Sequence, residues 1–150
     1  MRKLFILFLL PFFLVACGKC VSPQRWAETF LDVPGLSQYE IFEGTKRWIA
    51  MTFRSAKKVI EYENLDEGII IGNGLKPNVK AGWDVGFTMR VDVKDEKFRI
   101  SFHNLYWKSI EGEQSFCKQK EYDYVRPILL AYGPEIQHYL TTGIEVEKSW

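Results

Sequence analysis

Between residues 86 and 94 apolar and polar side chains alternate strictly. Phe87, Met89, Val91 and Val93 fall on one side of an extended chain, and Thr88, Arg90, Asp92 and Lys94 fall on the other. A period of two is that of a half-buried strand. Residues 97–107 repeat it, with Phe98, Ile100 and Phe102 against Arg99, Ser101 and His103. Placing the turn at Asp95-Glu96 sets Val93 opposite Phe98, Val91 opposite Ile100 and Asp92 opposite Arg99, so apolar meets apolar and acid meets base. By the same parity Arg90, Asp92, Arg99, Ser101 and His103 share the face turned away from the core, with Trp107 at its end.

Elsewhere the period changes. A first strand is expected near residues 26–33, followed by a Pro34-Gly35 turn. Ser37 and Glu40 then have capping-box spacing, and Leu36 with Ile41 has that of a hydrophobic staple. Ile41, Trp48, Ile49, Thr52 and Phe53 recur at helical spacing, with Glu43 and Arg47 as an i,i+4 pair on the other side. Residues 58–63 return to alternation, Lys58, Ile60 and Tyr62 against Val59, Glu61 and Glu63. Turn chemistry at 64–68 leads to the β-branched run Ile69-Ile70-Ile71, which makes a hairpin. Residues 76–84, with Pro77, Asn78 and Gly82, predict a loop, and 108–120 a polar segment. Val125, Ile128, Leu129, Tyr132, Ile136, Tyr139 and Leu140 predict a last helix that is kinked or divided at Gly133-Pro134. The order is strand, helix, four antiparallel strands, helix. This predicts one α+β domain with both helices on one face of the sheet.

Tyr39, Trp48-Ile49, Phe53, Lys58-Val59-Ile60, Glu67-Gly68-Ile69, Gly72 and Gly74 resemble the pattern of an uncharacterised domain of bacterial envelope proteins described as having a TBP-like fold. The resemblance runs from about residue 30 to 107. It implies the fold alone, because that family has no assigned activity and no functional residues to carry over.

The amino terminus changes the picture from fold to address. Arg2 and Lys3 precede an apolar run of eleven residues, 4–14, which contains Pro11. A membrane-spanning helix needs roughly 17–25 residues, so this stretch has the form of a secretory signal. Leu14-Val15-Ala16-Cys17 resembles the lipobox of bacterial lipoproteins, in which the cysteine is acylated and becomes the mature amino terminus. The expected organisation is a signal peptide over 1–16, a tether over 17–25 and one domain over 26–150. Gly18 after the cysteine, where an Asp commonly retains Gram-negative lipoproteins in the inner membrane, points to the periplasmic face of the outer membrane. Loss of Arg2 and Lys3 leaves 18 basic against 19 acidic residues. A neutral, exported domain is not expected to bind nucleic acid. With Cys17 acylated, Cys20 and Cys117 are left to pair as a disulfide in an oxidising compartment, two free thiols being the alternative.

Catalytic residue types are sparse, and neither a metal nor a cofactor is expected. Ser101 and His103 share a strand face near Asp92, yet Asp92 has a simpler partner in Arg99, and His138 reads as a surface residue of the last helix. Gly72-Asn73-Gly74 follows a strand without the helix a phosphate-cradling loop requires. Glu61, Glu63, Asp66 and Glu67 lack the ligand spacing of a Ca²⁺ loop. Trp83, a large aromatic in a loop, either offers a contact surface or folds back over the sheet edge. Two readings follow. One is a lipid-tethered, non-enzymatic binding or assembly module that meets an envelope protein or small ligand through its open sheet face or the Trp83 loop. The other is a periplasmic hydrolase with a site near Ser101 and His103.

Overall fold

The computed structural model describes residues 27–53 and 59–148, with side chains as far as residue 143. Its elements are β1 (Ala27–Asp32), α1 (Gln38–Thr52), β2 (Ile60–Asn64), β3 (Ile69–Lys80), β4 (Trp83–Lys94), β5 (Lys97–Ser109), β6 (Gly112–Ser115), α2 (Gln119–Leu130) and α3 (Tyr132–Lys148). All strand pairs are antiparallel, in the order β1-β5-β4-β3-β2, with β6 joining β5 on the edge that β1 also occupies.

The capping box at α1 forms as its spacing predicts. Ser37 Oγ accepts from Glu40 N at 3.3 Å, and the Glu40 carboxylate accepts from Ser37 N at 2.9 Å. Asp95 Oδ1 accepts from Gln38 N at 2.7 Å, so the β4–β5 turn places an anion on the helix amino terminus. Two backbone bonds, Val33 N to Glu96 O and Glu96 N to Leu36 O, lock that turn to the chain entering α1. Ile41, Trp48 and Ile49 turn into the core and Thr52 is exposed, while Phe53 is buried just past the helix end. Glu43 pairs with Lys46 at 3.4 Å.

The hairpin register is the expected one: Asp92 faces Arg99, Val91 faces Ile100 and Val93 faces Phe98. Phe87, Met89, Val91, Phe98, Ile100 and Phe102 are buried beneath the helices. Phe87 and Phe102 meet edge to face at 5.3 Å. Tyr132, at the start of α3, joins Trp48, Phe53, Phe87 and Phe102 at 5.5–6.1 Å between ring centres. Burial of a side chain of this size contributes about 1.5–3 kcal/mol, and edge-to-face pairs add roughly 0.5–1.5 kcal/mol. Burial pushes the Tyr132 phenol up to about 12, with Glu135 acting the same way.

Three expectations are corrected. Residues 76–84 are not a loop: β3 runs to Lys80 and β4 begins at Trp83, leaving only Ala81-Gly82 as the turn. Pro77 is accommodated because it falls in the irregular stretch between the Lys76 and Lys80 pairs, beyond the last pair with β2 among the described residues, at Gly72. Asn78, at φ 55°, absorbs the register shift between Lys76 and Lys80. The polar segment after Lys108 contains β6, so five strands and not four lie between the helical regions. The last helical region is divided, but at Ala131, two residues before the expected place; Pro134 sits in the first turn of α3, where no intrahelical donor is missed.

Candidate functional site

The face of the sheet opposite the helices is a polar array set out by the register. Across the strands, Glu28, Ser101, Arg90 and Ile71 form one row, and Phe30, Arg99, Asp92 and Ile69 form the next. Asp92 is the centre. Arg90 Nε and Nη2 reach its Oδ1 at 2.9 and 2.7 Å, and Arg99 Nε and Nη2 reach its Oδ2 at 3.1 and 2.8 Å. Burial opposes ionisation of this half-buried carboxyl, but the two guanidinium groups outweigh it and hold its pKa below the ordinary 3.8. Two cations share one anion. Each guanidinium has five N–H groups, and two of its nitrogens carry every bond to Asp92, so outward-facing donors remain.

Ser101 Oγ and His103 Nε2 lie 3.1 Å apart on the same face. Burial, then Arg90 and Arg99, push the His103 pKa below 6.5 against the opposing charges of Glu28 and Asp92. Asp92 is four residue pairs from His103 along the hairpin, about 13 Å, and so does not orient the imidazole. Ser101 is 4% exposed, which leaves its hydroxyl little access to a substrate carbonyl.

Trp107 does not belong to this face. Thr88 pairs with His103 but Gly86 pairs with Tyr106, so Phe87 faces both Asn104 and Leu105; this is a bulge, with Asn104 at φ 50°. The extra residue inverts the parity, burying Leu105 and Trp107 on the helix side and turning Tyr106 outward over Gly86, where a Cβ would strike its ring. The sequence carries the signal: buried apolar positions are even from Phe98 to Phe102 and odd from Leu105 to Trp107. Trp83, expected in a loop, is the first residue of β4, half-buried and edge-on to Trp107 at 6.4 Å. It therefore covers the end of the sheet.

Phe30, which sequence reasoning did not single out, is 70% exposed on the open face with the Arg99 guanidinium 5.9 Å from its ring centre. It borders a groove of about 490 Å³ that Asp92, Lys94, Lys97 and Arg99 also line. Thr88, Asn73 and Asn104 extend the hydrogen-bonded array toward the other end, Thr88 Oγ1 donating to Asn73 Oδ1 at 2.8 Å and accepting from Asn104 Nδ2 at 3.2 Å. Gly72 and Gly74 are strand residues, and a Cβ on Gly74 would run into the Phe87 ring. Asn73 bonds Glu61, Lys46 bonds Glu63 and the Tyr62 hydroxyl donates to Glu67 at 3.4 Å, so three of the four clustered acids are engaged by neighbouring side chains. Among the described residues no group of three or more His, Cys, Asp or Glu side chains is arranged to hold a metal ion. His138 is exposed on α3.

A second polar cluster lies where β6 meets α2. The Glu121 carboxylate accepts from Cys117 N, Lys118 N and Trp107 Nε1 at 2.9, 2.8 and 3.2 Å. Burial alone would raise its pKa; these three donors lower it. Cys117 is disulfide-bonded, and the chain's other cysteines, Cys17 and Cys20, lie outside the described residues, as does the expected tether.

No curated protein matches the chain. Among solved structures, a TBP-like protein from Parabacteroides distasonis ATCC 8503 superposes with a TM-score of 0.61 at 8% identity, covering 77% of this chain and 91% of that one. A DUF4468 family protein from Bacteroides ovatus ATCC 8483 gives 0.53 at 13% identity, covering 75% and 81%. At these identities the likeness is one of fold. The model of the domain of unknown function (DUF4468) with TBP-like fold matches residues 26–108, which span β1 to the end of the β4–β5 hairpin, and the chain belongs to that family.

Proposed function

We propose that the mature protein begins at an acylated Cys17 and is a non-enzymatic binding or assembly module of the bacterial envelope, which meets its partner through the open sheet face. The observation that carries this reading is the Arg90-Asp92-Arg99 array on a face that no described element covers. With two guanidinium groups on one carboxylate, flanked by exposed Phe30 and by Ile69 and Ile71, the face suits a partner that presents carboxylates or other acceptors beside apolar surface.

The alternative, hydrolysis at Ser101 and His103, is favoured by their 3.1 Å contact and opposed by the burial of Ser101 and the distance of Asp92. Cross-linking in intact envelopes separates the readings. The triple variant Arg90→Gln, Asp92→Asn, Arg99→Gln removes the charges together, leaving no orphaned ion, and should lose the cross-linked partner while remaining folded. Undiminished recovery moves the site off this face. Cys17→Ser tests the anchor: it should shift the protein from the detergent to the aqueous phase in a cloud-point partition, and a wild type already in the aqueous phase overturns the lipid.

A further inference from the structure

The corner around Cys117 supports an inference about orientation, which rests on the reading that Cys17 is acylated. Cys117 is disulfide-bonded and only Cys17 and Cys20 can be its partner. An acylated Cys17 has no thiol left to share, so the bridge is Cys20 to Cys117. The reach is ample. Ala27 pairs with Phe102 on the outer edge of β5, and Phe116 N donates to Leu105 O at 3.5 Å farther along the same edge. Those points are three residues, about 10 Å, apart. The seven residues from 20 to 27 span up to about 25 Å.

The bridge changes the length of the leash. Without it, ten residues separate Cys17 from Ala27 and allow up to about 35 Å; with it, three residues, about 10 Å, separate the acylated residue from a fixed point of the domain. That point is bordered by a hollow of about 520 Å³ lined by Lys80, Lys118, Lys120 and Tyr124, with Trp107 and Glu121 at its base. Glu121 is turned inward onto its three donors, and the neighbouring acids Glu113 and Asp123 are engaged by Lys108 at 3.2 Å and Gln119 at 3.0 Å. Among the described residues the three lysines form no ion pair. Tyr124 is 52% exposed, with its hydroxyl donating to Val79 O at 3.1 Å. An exposed tyrosine among lysines is the composition of a surface that lies at the headgroup level.

We propose that this corner docks on the bilayer: the Cys20 to Cys117 bridge holds it there, and Lys80, Lys118 and Lys120 meet anionic lipid headgroups. The β4–β5 hairpin then runs from the membrane outward. Arg90 and Asp92 lie six and eight residue pairs along it from Asp84 and Lys108, about 20 and 26 Å, so the proposed partner face is held clear of the headgroups.

Differential acetylation of lysines, read by mass spectrometry on the full-length lipidated protein, tests this without new labels. In vesicles containing phosphatidylglycerol, Lys80, Lys118 and Lys120 should react about fivefold more slowly than in detergent micelles, the factor one lysine's attraction to an anionic surface gives. Lys94 and Lys97, at the far end of the hairpin, should react equally in both. High salt or pure phosphatidylcholine should abolish the protection while the protein still floats with the vesicles. Equal rates in anionic vesicles and micelles, for a protein that floats, overturn the docking surface alone. Failure to float overturns the acylated anchor and the docking with it. In Cys20→Ser the protection should fall toward that of Lys94, with thermal unfolding confirming the fold; full protection without the bridge overturns its role as the clip.

Discussion

The same two strands, β4 and β5, present two faces built on opposite principles. On the helix side Phe87, Met89, Val91, Phe98, Ile100 and Phe102 are each no more than 2% exposed and are held by shape, ring against ring. On the other side Arg90, Asp92, Arg99, Ser101 and His103 are held by direction, each through a bond to its neighbour. A packed face tolerates no missing volume, whereas a bonded face tolerates missing atoms if charges are removed in matched sets. The contrast separates what makes this protein fold from what is left for it to do.

The comparison breaks most visibly at Phe87. Phe87→Ala should cost about 3–5 kcal/mol in urea unfolding, because the hole lies among Phe53, Phe102 and Tyr132 and cannot close. A loss below 1 kcal/mol would mean that the helix side is loosely packed. On the other face, Arg90→Gln with Arg99→Gln strands Asp92 and should cost about 1–3 kcal/mol, most of which Asp92→Asn restores. The same carboxyl sets an acid dependence. Its folded pKa lies below the unfolded 3.8, so its contribution is present above that value and is lost as pH falls through the folded one. Wild-type stability should therefore fall more steeply below pH 4 than that of the triple variant.

Smaller effects sharpen the contrast. Thr45, fully buried in α1 with no partner for Oγ1, is a polar atom in the packed layer; Thr45→Val should raise stability by roughly 1 kcal/mol in the same urea assay. Burial and then the two arginines should make His103 titrate below 6.5 by NMR, and Arg90→Gln with Arg99→Gln should raise it only by the part that burial does not hold down. Since its folded pKa is lowered, neutral His103 favours the native state above about 6.5, and that preference is lost as pH falls through the folded pKa. An unshifted histidine would mean first that the ring is better hydrated than the sheet makes it, and second that the guanidinium groups lie farther away.

How much of this was legible follows from where the signals are local. The Ser37/Glu40 box and the Asp92/Arg99 register depend on residues near one another in sequence, and both are present in the structure. The extension of β3 past Pro77 was hidden because a proline is read as a break, while its tolerance depends on the pairing with β4 being irregular between Lys76 and Lys80. β6 was hidden because all four residues of Gly112–Ser115 are exposed and carry no alternation. Of the open face, the five polar residues were placed by parity and Trp107 was misplaced by it, since parity holds only until the chain gains a residue. Arg90 as a second cation on Asp92 lay within reach of parity, two residues along the same strand face, whereas Phe30 beside Arg99 required the cross-strand neighbour that only the sheet supplies.

Asn104 gives β5 a place where its length can change without changing which side the later residues face. Deleting this one residue would close the bulge, setting Leu105 opposite Phe87 with Tyr106 still opposite Gly86, so that Leu105 and Trp107 keep the helix side and only the local bend is lost. Relatives are therefore expected either to lack this residue, with a straight β5, or to carry there one that accepts a left-handed backbone. In the regularly paired part of the strand a single deletion is a larger step than most substitutions, because there it exchanges what two faces of one strand are for.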